Sequence, residues 1–122
     1  MIATLAEVSL DSTDPEQLMT FYQRVLGGDV SLPGADFAIL RLAGITLTSS
    51  RVAGYRAPTW PDDAVPTQAH LDLRVRSLDT AQVELTAAGA RLADHQPNRE
   101  QYLVFLDPAG HPFCACLPAD WA

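Results

Sequence analysis

Polar and hydrophobic side chains alternate along two separate stretches of the chain. In residues 3–11 the polar positions from Glu7 onward alternate with aliphatic ones, and in residues 68–75 the polar positions, His70 among them, alternate in the same way. A period of two is typical of a β-strand that buries one face and leaves the other face polar. Each stretch is therefore predicted to be a strand, with Glu7 or His70 on its polar face.

A helical pattern follows each of these predicted strands. Residues 13–16 supply a polar N-cap, a proline and an acidic residue, and the helix they begin is predicted to end at Gly27 and Gly28. In the second half Ser77 is the predicted N-cap of a helix that ends at Gly89. The order of a strand and then a helix is therefore predicted twice.

Three further strands are predicted after each helix, which makes the order β-α-β-β-β in both halves. Between the halves the composition shifts to proline, glycine and aspartate, as in a linker. The sequence therefore predicts an α+β fold made by duplication of one unit. The predicted boundaries within one domain of residues 1–122 are module one at about 1–52, a linker at about 53–66 and module two at about 67–122.

The composition excludes several classes of partner. The net charge is −7, and the eight basic residues are arginines scattered between Arg24 and Arg99. An acidic chain without a basic cluster repels nucleic acid phosphates. No apolar run reaches the roughly 18 residues that a membrane-spanning helix needs. Neither nucleic acid nor a membrane is a predicted partner.

The amino terminus and the cysteines indicate a cytoplasmic location. The chain begins MIATLAEVSLD, without a basic segment followed by a long apolar stretch, so no secretory signal is predicted. The two cysteines, Cys114 and Cys116, are two positions apart in a predicted strand, which is poor geometry for a disulfide between them. Free thiols are typical of a reducing compartment.

If each helix packs on the apolar face of its sheet, the opposite face is polar in both halves. A solvated sheet face explains the serine and threonine side chains there as well as a binding site does. The residues predicted on this polar face are Glu7, Ser9, Asp11, Thr46, Thr48, Ser50, His70, Asp72, Arg74, Cys114 and Cys116.

Four stretches resemble a known superfamily in the right order along nearly the whole chain. They read DPEQLMTFYQRVLGGDV at 14–30, YRAPTWPD at 55–62, HLDLRV at 70–75 and DPAGHPFCAC at 107–116. Together they resemble the vicinal oxygen chelate superfamily, and in particular its glyoxalase-like and bleomycin-resistance-like members. The resemblance implies two βαβββ modules with curved sheets whose polar faces enclose a cleft, commonly in a homodimer.

The resemblance also implies where a metal would bind. Metal-using relatives take ligands from the first and last strands of each module, and those positions here are Glu7, His70, Cys114 and Thr48, with Ser50 as a substitute for Thr48. A neutral hydroxyl is a poor ligand for a divalent ion, so this set is incomplete. Glu7, His70 and Cys114 with water would suit zinc, and we expect weak or absent binding of nickel, cobalt and manganese.

Each candidate residue also has an ordinary structural interpretation. His70 can hydrogen-bond a neighbour, Glu7 can be solvated, and Cys114 can be a small buried side chain. In the linker, Trp60 either stacks on a ligand or holds the loop to the core. For Asp72 we expect an ion pair with Arg74.

These interpretations leave three hypotheses about function. The first is a glyoxalase-like protein that binds a small organic molecule in a polar cleft between the modules, without an obligatory metal; its predicted binding residues are Glu7, Thr48, Ser50, Trp60, His70 and Cys114. The second is a metal-dependent lyase, isomerase or dioxygenase of the same superfamily. The third is a dimeric interaction module without a ligand.

Overall fold

The computed structural model describes residues 1–119, which divide into two units, one formed by Met1–Tyr55 and one that begins at Arg56. Each unit has the element order β-α-β-β-β, as predicted. In unit one the elements are β1 (Val8–Ser9), α1 (Pro15–Leu26), β2 (Asp29–Gly34), β3 (Phe37–Arg41) and β4 (Thr46–Ser50). In unit two they are β5 (Leu71–Arg74), α2 (Leu78–Ala88), β6 (Arg91–Leu92), β7 (Tyr102–Leu106) and β8 (Pro112–Cys116).

Unit one is a four-stranded sheet in the order β1-β4-β3-β2, packed against α1. β1 runs parallel to β4, and the remaining neighbours are antiparallel. The helix begins where predicted, because the Asp14 carboxylate accepts a hydrogen bond from the Gln17 backbone N–H and Pro15 lies in the first turn. Its buried face includes Phe21 and Tyr22.

Unit two repeats this topology with the strand order β5-β8-β7-β6. The Ser77 hydroxyl accepts a hydrogen bond from the Thr80 backbone N–H and caps α2, and Gly89 ends the helix. Phe105 and Phe113 stack with ring centroids 5.6 Å apart and are fully buried. Neither described helix is long and apolar enough to cross a membrane.

A tight turn sets the register between β7 and β8. The Asp107 carboxylate accepts hydrogen bonds from the backbone N–H groups of Ala109 and His111, and Gly110 takes a positive φ of 85° that suits glycine. The turn aligns the two strands so that Val104 lies opposite Cys114. Alternate side chains of both strands therefore point either to α2 or to the open face of the sheet.

The first strand is shorter than the alternating pattern predicts. Only Val8 and Ser9 form a strand, because they are the two residues that pair with β4, opposite Leu47 and Thr48. β5 likewise begins at Leu71. Glu7 and His70 therefore occupy equivalent places, each one residue before the first strand of its unit.

Candidate functional site

The open face of the sheet in unit two carries polar and sulfur-containing side chains in two rows. The register places Asp72, Cys114 and Val104 side by side in the first row. In the second row Cys116 lies between Arg74 and Tyr102. The intervening residues of these strands point to the other face, where the buried phenylalanines pack.

A cavity of about 460 Å³ opens above this face. Its volume lies within the range of small-molecule sites in proteins, roughly 300–1,000 Å³. The lining combines aromatic surface with groups that donate or accept hydrogen bonds. It includes Trp60, His70, Asp72, Tyr102, Cys114 and Cys116.

Three side chains of the cavity converge on the Asp72 carboxylate. His70 Nε2 lies 3.3 Å from Asp72 Oδ1, and the Cys116 thiol donates to the same oxygen at 3.8 Å. The possible ligand atoms of His70, Asp72 and Cys114 all lie within 4.8 Å of one another. Asp72 is therefore the centre of the cluster.

Both thiols are held in their protonated form at neutral pH. Burial is the largest of the causes that raise the pKa of the Cys114 thiol from its usual 9.0 to about 12, and the negative charge of Asp72 and the neighbouring Cys116 contribute to the same shift. Burial and the charge of Asp72 also raise the pKa of Cys116. As it stands, the cluster offers thiol donors and one carboxylate acceptor.

At the matching positions of unit one, two hydroxyl groups hydrogen-bond each other. Ser9 and Thr48 pair as Asp72 and Cys114 do, and the Thr48 hydroxyl donates to Ser9 Oγ at 2.8 Å. Thr48 is fully buried, whereas Glu7 is exposed and Ser50 is half-buried. The cluster of unit two includes neither Glu7, Thr48 nor Ser50, so their part in a site stays a prediction.

Trp60 contacts His95 and also lines the cavity of unit two. Its indole N–H donates to the His95 carbonyl oxygen at 3.3 Å, and its ring centroid lies 6.1 Å from that of His95. The same side chain lines the cavity. Trp60 therefore holds its loop against the segment around His95, and its contact with a ligand stays a prediction.

Asp72, Cys116 and Tyr102 belong to the cavity but were not among the predicted binding residues. Asp72 was expected to pair with Arg74, and the structure places it against His70 and the thiols instead. Asp72 follows His70 by two residues, and Cys116 follows Cys114 by two. Residues two positions apart in a strand lie on the same face of the sheet, so the sequence could have placed both residues beside the predicted ones. Tyr102 joins them through strand pairing, for which the sequence holds no local signal.

The comparisons with known proteins agree with this architecture. The family model described as "Glyoxalase-like domain" matches residues 7–116. The chain belongs to this glyoxalase-like family. This membership confirms the predicted resemblance to the vicinal oxygen chelate superfamily, whereas the likeness to bleomycin-resistance proteins stays a prediction. No curated protein matches the sequence.

Solved structures share the fold at low sequence identity. The fosfomycin resistance protein FosX from Listeria monocytogenes is 16% identical with a TM-score of 0.72, over 99% of this chain and 98% of that chain. FosX from Mesorhizobium loti is 13% identical with a TM-score of 0.71, over 99% and 97% of the two chains. A glyoxalase-related enzyme from Fulvimarina pelagi is 19% identical with a TM-score of 0.67, over 96% and 89%.

The donors of the cluster fit some metal ions better than others. An E126Q mutant of the Listeria protein was crystallised with Mn(II) and 1S,2S-dihydroxypropylphosphonic acid. Manganese(II) favours oxygen ligands, whereas imidazole and thiolate suit zinc. Of the possible donors His70, Asp72 and Cys114, only Asp72 offers oxygen. These residues fit a borderline or soft ion and do not fit manganese well.

Proposed function

We propose that this glyoxalase-like protein binds a small organic molecule in the cavity of unit two without an obligatory metal. The observation that carries the proposal is the cavity of about 460 Å³, in which aromatic side chains face a hydrogen-bonding cluster. Such a combination buries the apolar part of a ligand and orients its polar groups. The same proposal includes that the protein is a homodimer and that it is located in the cytoplasm. The two free thiols support the cytoplasmic location.

The side chains supply the binding energy in this proposal. Trp60 and Tyr102 offer ring surface for an apolar or aromatic group. The Asp72 carboxylate accepts hydrogen bonds, so a ligand with a hydroxyl or amino group can displace the Cys116 thiol that now donates to it. One of the four family positions for metal ligands holds the fully buried hydroxyl of Thr48, which is a poor ligand, and this incomplete set supports binding without a metal.

Fluorescence of Trp60 tests this function. A panel of small hydroxy and amino compounds is screened by thermal stabilisation in the presence of a chelator. Each hit is then titrated against a Trp121→Phe variant, in which Trp60 is the remaining tryptophan. Trp121 itself lies outside the described residues. We expect the Trp60 emission to shift or be quenched, because the indole lines the cavity. Hits that bind tightly and leave the Trp60 emission unchanged would contradict the placement.

A metal-dependent lyase, isomerase or dioxygenase is the second candidate. Three possible ligand atoms within 4.8 Å of one another favour it. The same screen, run once with chelator and once with added metal, separates the two candidates. Hits that need added metal and disappear with chelator support the enzyme. The third hypothesis, an interaction module without a ligand, predicts no hits under either condition, and the volume of the cavity argues against it.

A further inference from the structure

The cavity of unit two carries a negative charge that no arginine of its lining balances. Asp72 is the one acidic residue of the described lining, and Arg74, further along β5, lies outside it. His70 adds a positive charge only when it is protonated. The chain contains no lysine, and its net charge is −7. The field of the whole protein and the charge of the cavity therefore both attract cations and repel anions.

Asp72 can accept a further hydrogen bond. His70 Nε2 and the Cys116 thiol both contact its Oδ1 atom, at 3.3 and 3.8 Å. An ionised carboxylate has about four lone-pair positions on its two oxygens, so these contacts do not exhaust it. The Asp72 side chain is 53% exposed, which lets a ligand in the cavity reach it. A cationic donor forms a charge-assisted hydrogen bond there, roughly twice as strong as a neutral one.

The hydroxyl group of Thr67 is a second polar group of this cavity. Thr67 is part of the lining, and its Oγ1 atom is buried without a hydrogen-bond partner among the described residues. Such unpaired buried groups are rare in folded proteins, because each one costs stability. A threonine side chain can change its rotamer, and its hydroxyl both donates and accepts. A polar group bound in the cavity can therefore supply the missing hydrogen bond.

We propose that the ligand of this cavity is a small organic amine with an aromatic or apolar body. Its ammonium group binds the Asp72 carboxylate and the Thr67 hydroxyl oxygen, and its body lies against Trp60 and Tyr102. This inference rests on the proposed binding of a small organic molecule and adds the chemical class of that molecule.

The hydrogen-bonding groups favour an ammonium group over a neutral hydroxyl group. An ammonium group has donors only, and the two groups that it meets, a carboxylate and a hydroxyl oxygen, both accept. The faces of aromatic rings also attract a cation, and Trp60 and Tyr102 supply such rings. An organic acid has neither advantage and is repelled by the charge of Asp72. The cavity therefore selects amines over alcohols and excludes acids.

Three compounds that differ in charge test the class of ligand. 2-Phenylethylamine, 2-phenylethanol and 3-phenylpropanoate share a phenyl ring and a two-carbon chain, and they carry a positive, a neutral and a negative group. Each compound is titrated into the full chain by calorimetry with a chelator present. We expect the amine to bind roughly 10-fold more tightly than the alcohol, because hydrogen bonds to charged groups are stronger, and the acid not to bind.

The outcomes separate this inference from the proposed function. An alcohol or an acid that binds as tightly as the amine overturns the inference and leaves a small-molecule site in place. Failure of all three compounds to bind also overturns the inference. The proposed function fails only if the wider panel of hydroxy and amino compounds yields no hit as well.

An Asp72→Asn variant tests the role of the carboxylate. It should bind the amine roughly 10-fold more weakly and the alcohol as the wild type does, so that the preference disappears. Asp63→Asn is the matched control, because it removes the same charge from an exposed loop residue outside the lining. A preference for the amine that survives in Asp72→Asn overturns the inference, as does an equal loss in Asp63→Asn.

A Thr67→Val variant removes the hydroxyl group and keeps the shape of the side chain. It should weaken binding of the amine by roughly 3–10-fold, because one acceptor is lost, while the melting temperature of the free protein stays the same or rises. A hydroxyl that serves only the fold predicts the opposite, a lower melting temperature with unchanged affinity. That result would remove Thr67 from the site and overturn the proposed contacts.

Discussion

The Cys114 thiol is predicted to react slowly with alkylating reagents in the folded protein. Its pKa of about 12, raised mainly by burial and also by the charge of Asp72, leaves little thiolate below that pH, whereas an unfolded chain ionises near 9.0. Iodoacetamide should therefore modify Cys114 of the chelator-treated protein much more slowly than in urea between about pH 8 and pH 10. Mass spectrometry of the peptide over time gives both rates.

An Asp72→Asn variant is the control for this prediction. Removing the carboxylate charge lowers the pKa of Cys114 and should accelerate alkylation, although burial keeps the rate below that of the unfolded chain. The folded pKa lies above the unfolded one, so the protonated thiol favours folding below about pH 9, and that contribution disappears as the pH rises toward 12. Equal rates in folded and unfolded protein would contradict the shift.

Single residues show what the sequence was able to predict about the cluster. Alternation put His70, Asp72, Cys114 and Cys116 on one polar face, and the structure agrees. The predicted partner of Asp72 was wrong, because an ion pair with Arg74 was expected and His70 is the observed neighbour. His70 and Arg74 are each two residues from Asp72 along the same strand segment, so the spacing in the sequence does not choose between them.

At the scale of elements, the β7–β8 turn depends on one carboxylate. Asp107 is buried and accepts hydrogen bonds from the N–H groups of Ala109 and His111. An Asp107→Ala variant leaves these donors without their partner, and we expect unfolding by urea to show a loss of about 1–3 kcal/mol. Asp107→Asn keeps an acceptor oxygen and should lose less. Equal losses in the two variants would show that the hydrogen bonds are not the cause.

Helices were more predictable than strands in this chain. The capping residues Asp14 and Ser77 marked both helix starts, because a cap is a local interaction within four residues. The first strand was predicted over residues 3–11 and is only Val8–Ser9. Alternation reports which face of a segment is polar, whereas strand length depends on how many residues find a partner on β4.

For the whole molecule, duplication of one unit explains why the chemistry is asymmetric. Both sheets have the same strand order, and the positions of Ser9 and Thr48 match those of Asp72 and Cys114. A repeat lets one copy keep a stable hydroxyl pair while the other copy carries charge and sulfur at half-exposed positions. The sequence predicted the duplication, but it assigned donors to both copies.

The homodimer is a prediction about the surface of unit one. Leu26 and Ile45 are exposed apolar side chains that line one surface cavity together with Leu42. β2, at the edge of the same sheet, leaves backbone groups open to another chain. The lining mixes these apolar side chains with the charged side chains of Asp29 and Arg41, and symmetric dimers are the commonest oligomers of soluble proteins. We therefore expect the mass of two chains by light scattering at micromolar concentration.

An Ile45→Glu variant should shift this equilibrium to the monomer, since it places a charge within the apolar surface that the partner would bury. Val83→Glu is the matched control, because Val83 is also exposed and apolar but lies on α2 of unit two. The control should stay dimeric. A monomeric wild type would refute the homodimer itself. A dimer that Ile45→Glu leaves intact and Val83→Glu disrupts would move the interface to α2.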